Sequence, residues 1–346
     1  MENITERLIR AVGSAPAREP VVTILGDLNF DHIYSCPALE GGKEVIISSF
    51  SREIAGAAGI VACGLARLSA TVYLLSELGD DTDGRELYEE ITRRGVQTEG
   101  IRLLPQKRSP FTLIFSAESQ GKPRQAATFQ GTLTDFSARP EHYKEFVARS
   151  VMAYSCSYFL IPKLREDIAG VFRLARSREV QTAYDANAGD GWEDRKNLAT
   201  LTNTIYPLTD VVLLNESEAR FLTGCDDPAK SAILVSPSSA TVVIKLGPRG
   251  AVLRHRGRFY RVSAFPIRGR IEDTVGAGDA FQAAFLYYYV RKFPIEIGAV
   301  MGSANAASTL AFKGGVEGQL DGRGLAAAVR CCSVFDRGGG VNSIQR

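Results

Sequence analysis

The sequence predicts an α/β protein built on one mostly parallel sheet with helices on both faces. Three observations lead there. From about residue 151 onward, short Val/Ile-rich runs alternate with helical stretches, the pattern of strands joined by crossover helices. The first strand candidate, Val21-Val22-Thr23-Ile24-Leu25, is apolar throughout and stops at Gly26, as a strand buried on both faces does. Ala280 to Val290 is an apolar, aromatic-rich run too long for an ordinary strand and reads as a buried helix, ended by Pro294.

The elements follow in order. Residues 1–20 mix charges with Ile4, Leu8 and Ile9 and lack the apolar run of a signal peptide, so they read as an extension carrying a short helix. After the first strand come Asn29 and Asp31, placed where the strand's carboxyl end opens. Val45-Ile46-Ile47, Phe111 to Ala117 and Ala126 to Gln130 are further strand candidates, the last two joined as a hairpin through the turn-rich segment 118–123. These pieces form a small separate sheet serving as a lid, from about 31–50 and 108–131. Gly56 to Leu68 has small residues at helical spacing, Thr71 to Leu75 is a strand, and Gly79 to Gly84 turns into the helix Arg85 to Arg94. Later strands are Val151 to Tyr154, Thr182 to Asp185, Val211 to Leu214, Thr241 to Leu246, Ala251 to Arg254 and Phe259 to Val262. The main domain spans 21–336, and 337–346, opening with Arg337-Gly338-Gly339-Gly340, reads as a flexible tail.

Composition narrows the function. The 346 residues are 45% hydrophobic and 23% charged, ample for a large core. A net charge of +2 gives no footprint for nucleic acid or a membrane, and neither is expected as a partner. The six cysteines are scattered without a Cys-x-x-Cys pair, as in a cytoplasmic protein with reduced thiols. His32, His142 and His255 have no metal spacing. There is no Gly-x-x-x-x-Gly-Lys-Ser/Thr loop, and no Gly-x-Gly-x-x-Gly follows the first strand.

The chemistry concentrates in Asp273-Thr274-Val275-Gly276-Ala277-Gly278-Asp279, a Gly-rich turn entering the apolar helix. A helix start presents N–H groups without partners and partial positive charge, and glycines let the backbone close around an anion. A carboxylate there would repel a resting phosphate unless it accepts a proton from the group attacking it. The stretch closely resembles the second signature of the ribokinase-like (PfkB) carbohydrate kinase family. The resemblance implies a ribokinase-like three-layer α/β/α sandwich with a small β-sheet lid. It also implies that Gly276, Ala277 and Gly278 form the anion hole for the transferred phosphoryl group, with Asp279 as the base.

Further pieces fit the same family in the same order. Gly26-Asp27-Leu28-Asn29-Phe30-Asp31 resembles the opening strand, whose terminal Asp binds acceptor hydroxyls, so Asn29, Asp31 and Gly56 are the substrate-binding candidates. Ala55-Gly56-Ala57-Ala58-Gly59-Ile60 departs from the family's Gly-Gly-x-x-x-Asn: Ala55 stands for the first Gly and Ile60 for the Asn. Ile60 cannot hydrogen-bond, which points to an acceptor with an apolar portion, such as a nucleoside or modified sugar. Asp185-Ala186-Asn187 resembles a motif near the phosphates, and Asn215-Glu216-Ser217-Glu218 one that holds magnesium largely through water. Asn215 followed by Glu218 is equally a helix capping box. Lys245 to Gly250 resembles the nucleotide loop, giving Lys245, Gly247 and Gly250 as nucleotide-binding residues, with Arg249 either near phosphates or on the surface; Asn305 falls where the family helix borders the adenine.

The resemblance therefore implies transfer of the γ-phosphoryl group of ATP to a hydroxyl of a sugar or nucleoside, with Mg2+, a monovalent cation (K+) near the Asp273 loop, and a homodimer through the lid. The rival is a non-catalytic sugar- or nucleotide-binding regulator on the same fold, favoured by the departures at Ala55 and Ile60; Asp279 and the Asn215/Glu218 pair, which a pure binder does not need, weigh against it.

Overall fold

The structure, a computed structural model, describes residues 19–37, 39, 44–116, 125–187, 195–236, 241–267, 269–330 and 341–344. The short helix expected in residues 1–20 and the turn at 118–123 lie outside the described residues apart from Glu19 and Pro20.

A ten-stranded sheet forms the centre. Its strands are β1 (Val21–Leu25), β4 (Thr71–Gly79), β5 (Ile101–Leu104), β8 (Met152–Cys156), β9 (Gln181–Asp185), β10 (Val211–Asn215), β11 (Thr241–Lys245), β12 (Ala251–His255), β13 (Arg258–Val262) and β14 (Val341–Ile344). Their spatial order is β14-β13-β12-β11-β10-β9-β8-β1-β4-β5. Pairing is parallel from β5 across to β11 and antiparallel from β11 to β14. Side chains alternate between two cores: in β10, Val211 and Leu213 join one and Val212 and Leu214 the other. That period of two is why these strands read as unbroken apolar runs: both faces are covered.

The helices α1 (Ala57–Arg67) and α2 (Thr82–Arg93) follow β3 and β4 in the chain; α3 (Pro140–Arg149), α4 (Pro162–Ser177) and α5 (Arg195–Thr200) lie between β7 and β10; α6 (Glu216–Thr223) and α7 (Pro228–Leu234) lead from β10 to β11. Then come α8 (Ala277–Val290), α9 (Ile295–Thr309) and α10 (Gly322–Arg330). Residues of α1, α8, α9 and α10 build one core, and residues of α3, α4, α6 and α7 build the other. The fold class is the expected three-layer α/β/α sandwich.

A second sheet has four strands in the order β3-β2-β6-β7: β2 (Asn29–Ser35), β3 (Ser49–Ala55), β6 (Phe111–Ser116) and β7 (Gln125–Phe129). Pairing is antiparallel for β2/β3 and β6/β7 and parallel for β2/β6. It spans a wider range than 31–50 and 108–131, since β2 begins at Asn29 and β3 runs to Ala55. The strand expected at Val45-Ile46-Ile47 is not one: Ile46 is 85% exposed, and pairing starts at Ser49. β-branched residues suggested the strand, but alternation decides it, with Phe50, Arg52 and Ile54 on one face. On that face Phe50 stacks on His32 and Tyr34, and Tyr34 stacks on Phe115. The opposite face carries Asp31 and Ile33 from β2, alongside Thr112 and Ile114.

The chain's end also departs from the expected flexible tail. Val341–Ile344 pairs antiparallel with β13 as the edge strand of the main sheet.

Candidate active site

Strands β1, β8, β9, β10 and β11 end side by side, and the register sets Cys156 beside Asp185 and Asn215 beside Lys245. In an open α/β sheet this carboxyl edge is where a ligand crevice forms. α6 starts directly from the end of β10, and α1 and α8 also start near this edge.

At α1 the chain passes through Gly56, with φ at +84°, and a Cβ there would sit 2.6 Å from the carbonyl oxygen of Asp27, so only glycine fits. The amides of Ala57 and Ala58 donate to the two carboxylate oxygens of Asp27 at 3.0 and 3.2 Å. Ser157 Oγ donates to Asp27 Oδ1 at 2.8 Å. The buried Asp27 thus satisfies a helix start that would otherwise hold orphaned donors. Two residues on, Asn29 Nδ2 donates to Asp31 Oδ1 at 3.0 Å and to the Phe30 carbonyl at 3.1 Å. Asn29 lies against Gly56, and the structure brings Asn29, Asp31 and Gly56 together.

At α8 the chain again passes through a glycine in the left-handed region, Gly276 with φ at +70°. A Cβ on it would meet the Gly315 Cα at 2.4 Å. The helix begins at Ala277, three residues before the expected start. No side chain of the N-cap residue closes it, and the amide of Ala280 makes the first helical bond, to the Gly276 carbonyl at 2.8 Å. The amides of Ala277, Gly278 and Asp279 therefore precede the helical ladder, at the positive end of the dipole. Asp273 pins the loop, accepting from Val275 N and Gly314 N at 3.0 Å each.

The half-buried Asp279 sits in this first turn. Burial pushes its carboxyl up to about 8; the Lys245 ammonium opposes that rise, and the carboxylates of Asp185, Asp27 and Glu218 add to it. Lys245 Nζ pairs with Asp185 Oδ2 at 2.8 Å and lies 3.5 Å from where a Cβ on Gly278 would be. Burial works against the Lys245 charge, but the Asp185, Glu218 and Asp279 carboxylates outweigh it and hold its pKa above the ordinary lysine value. Asp185 Oδ1 accepts from the amide of Asn187 at 2.9 Å, where Asn187 turns with φ at +43°.

The two helix starts are joined by α1 itself. Gly56 touches Asn29, and Ile60, four residues or about 6 Å along the helix, packs against Gly276 and Gly315. That contact corrects one expectation. Ile60 is 3% exposed and buttresses the anion loop from behind, so it is not a surface for an apolar acceptor.

A cavity of about 330 Å³ opens beside Gly278, lined by Lys245, Gly247 and Gly250 on one side and by Phe265, Ile271 and a face of α9 on the other. Asn305 does not line it. Its amide is fully buried, donating to the Ala280 carbonyl at 2.8 Å and to Gln319 Oε1 at 3.2 Å, while its oxygen accepts from Leu320 N at 2.7 Å. It clamps α8, α9 and the 315–320 loop together; Ser303, Ala306 and Ala307 carry α9 into the cavity instead. Asn187 is absent from this lining too, and Arg249 pairs at the surface with Glu216. Asn215 and Glu218 form the capping box: Asn215 Oδ1 accepts from Glu218 N at 2.9 Å, and Glu218 Oε2 accepts from Asn215 N at 2.7 Å.

Sequence reasoning missed Asp27, which closes α1, and the buried pair Tyr154 and Gln282, in which the Tyr154 hydroxyl donates to Gln282 Oε1 at 2.6 Å and Gln282 Nε2 donates to Asp185 Oδ2. Gln282 was findable: it is the one amide within the apolar run from Ala280 to Val290.

Comparison with known proteins then decides the family. The model of the pfkB family carbohydrate kinases matches residues 20–320. The chain belongs to this family. Among relatives, the ribokinase of Haemophilus influenzae is 24% identical over 304 residues, covering 85% of this chain and 93% of that one. Among solved structures, Arabidopsis thaliana ribokinase complexed with ribose and ATP superposes with a TM-score of 0.79 at 19% identity, over 90% of this chain and 99% of that one. A putative Ribokinase II of E. coli in complex with ATP and Mg2+ gives 0.79 at 17% identity, over 90% and 99%. This pfkB kinase moves the γ-phosphoryl group of ATP to a hydroxyl of a sugar or sugar-containing small molecule. The comparisons lend no support to the rival, a non-catalytic regulator.

Proposed function

We propose that Asp279 receives the proton of the acceptor hydroxyl as its oxygen bonds to the γ-phosphorus and the bridging bond to ADP breaks. The observation that carries this reading is the open start of α8 beside a carboxyl whose pKa is about 8. The amides of Ala277, Gly278 and Asp279 stabilise charge on the equatorial phosphoryl oxygens, and Gly276 gives the loop its turn. Asn29 and Asp31 orient the acceptor through its hydroxyls, and Gly56 lets the chain approach it closely. The apolar cavity suits an adenine, with Gly247 and Gly250 at its edge and Lys245 toward the phosphates.

The oxygens of Asn215 and Glu218 fit Mg2+. Mg2+ keeps several waters and leans on substrate phosphates, so one Asn oxygen and one Glu carboxylate would be a sufficient protein share. When bound, the ion neutralises charge on the donor phosphates. K+ beside the Asp273 loop belongs to the same reading, and an equal rate in Na+ and K+ buffers would remove it. The small sheet serves as a lid that excludes water. Its other face holds Phe50, 56% exposed, and Phe129, 44% exposed, and we assign it to a homodimer. A monomeric mass by light scattering would contradict that.

A coupled ADP-release assay across sugars and nucleosides identifies the acceptor. In it, Asp279→Asn lowers kcat by roughly 10²–10⁴-fold with little change in nucleotide binding; near-normal turnover would reject the assignment.

A further inference from the structure

We propose that Gln282 is a positioning residue, one whose amide aims the Asp279 carboxylate at the acceptor and holds it apart from Asp185. This rests on the proposed role of Asp279. Gln282 lies one turn beyond Asp279 on α8 and is buried. Its Nε2 donates to Asp185 Oδ2 and, in a long contact of 3.4 Å, to Asp279 Oδ1. Its Oε1 accepts from the Tyr154 hydroxyl at 2.6 Å. These partners fix the amide's orientation, because a flip would turn the carbonyl oxygen toward two carboxylates.

The arrangement has a chemical consequence. Asp185 is engaged by the Lys245 ammonium, by the Asn187 amide and by Gln282. Asp279 faces Asp185 through the Gln282 amide, which is the donor between them. With Oδ1 occupied, Oδ2 is the oxygen left to take the proton. The other titratable groups around Asp279 are Lys245 on β11, Asp27 after β1, Glu218 on α6, and Tyr154 and Cys156 on β8. Of these only Lys245 carries positive charge, so removing the amide leaves carboxylates facing each other with one less donor. That raises the proton affinity of Asp279.

The test is steady-state kinetics of Gln282→Leu with ATP and the acceptor that the panel identifies. We expect kcat to fall about tenfold and the acid limb of its pH profile to move up by about one pH unit, the scale of one hydrogen bond to a charged group. The ATP KM stays within about twofold. Tyr154→Phe, which removes only the hydroxyl that orients the amide, gives a smaller upward shift. A folded Gln282→Leu with wild-type kcat and acid limb overturns the proposal. So does a loss confined to Tm or ATP KM. If Gln282→Leu does not fold, Tyr154→Phe decides: an unshifted limb overturns it. Asp279→Asn run alongside separates the two levels. Full activity in that variant sinks the role of Asp279 itself, whereas an inactive Asp279→Asn beside an unshifted Gln282→Leu sinks only the role of Gln282.

Discussion

The starts of α1 and α8 are built alike and used differently. Each follows a glycine in the left-handed region, Gly56 and Gly276, and each glycine is pressed against backbone that excludes a Cβ. At α1 the first amides are closed by the Asp27 carboxylate. At α8 no such carboxylate folds back; Asp279 stands inside the first turn, and the amides before the helical ladder face the cavity region. One start is a finished structural joint and the other has no side-chain cap. Orphaned amides cost stability unless something anionic arrives. The molecule completes that requirement internally at α1 and, on the proposed function, leaves it to the phosphoryl group at α8.

Substitutions can break this contrast. The largest effect is expected from the paired change of the two glycines. Gly276→Ala should lower kcat of the folded fraction by about 10²–10³-fold, because aligned oxyanion donors are lost, beside a loss of stability from the contact with Gly315. Gly56→Ala should instead reduce soluble, folded protein. Circular dichroism with kinetics separates them, and matching losses of activity and fold in both variants would erase the distinction. Next, Asp27→Ala should destabilise by about 2–4 kcal/mol in urea melts, since it uncaps α1 and strands Ser157 and two amides. A loss under about 0.5 kcal/mol would mean that solvent serves α1 equally well.

A smaller effect concerns stability against pH. A carboxyl raised from 3.8 to about 8 binds its proton more tightly in the folded state. Between those values the folded protein holds more protons than the unfolded chain, so stability falls as pH rises through this window. The cost is absent below about pH 4 and complete above about pH 8. Asp279→Asn removes it and should raise Tm above wild type at pH 8.5 by about 2–4 °C, with the gap closing toward pH 4. A constant difference at all pH values would mean that Asp279 titrates normally.

Much of this was legible in the sequence for physical reasons. The parallel strands announced themselves because burial on both faces demands unbroken apolar runs such as Val211 to Leu214. The loop from Asp273 to Asp279 was legible because the whole stretch resembles a family signature; glycines and a carboxylate at a helix start would by themselves fit an ordinary turn. Local pattern failed where partners lie far along the chain. Nothing near Asn305 shows that Ala280, Gln319 and Leu320 use its amide. Nothing near Ile60 shows that Gly276 and Gly315 stand over it. The run Val45-Ile46-Ile47 has strand composition but no pairing partner among the described residues, while Ser49–Ala55 gains one through Phe50 and Ile54. The tail's glycines hid a short strand whose register depends on β13.

The most direct measurement is the pH profile of kcat/KM for the acceptor in the wild-type enzyme, which reports the base before the acceptor binds. A base that works only when unprotonated, with a pKa of about 8, predicts a rate that rises tenfold per pH unit below that value and levels above it. A profile flat from pH 6 to 9, with chemistry shown by single-turnover kinetics to limit the rate, would contradict the claim that Asp279 takes the proton.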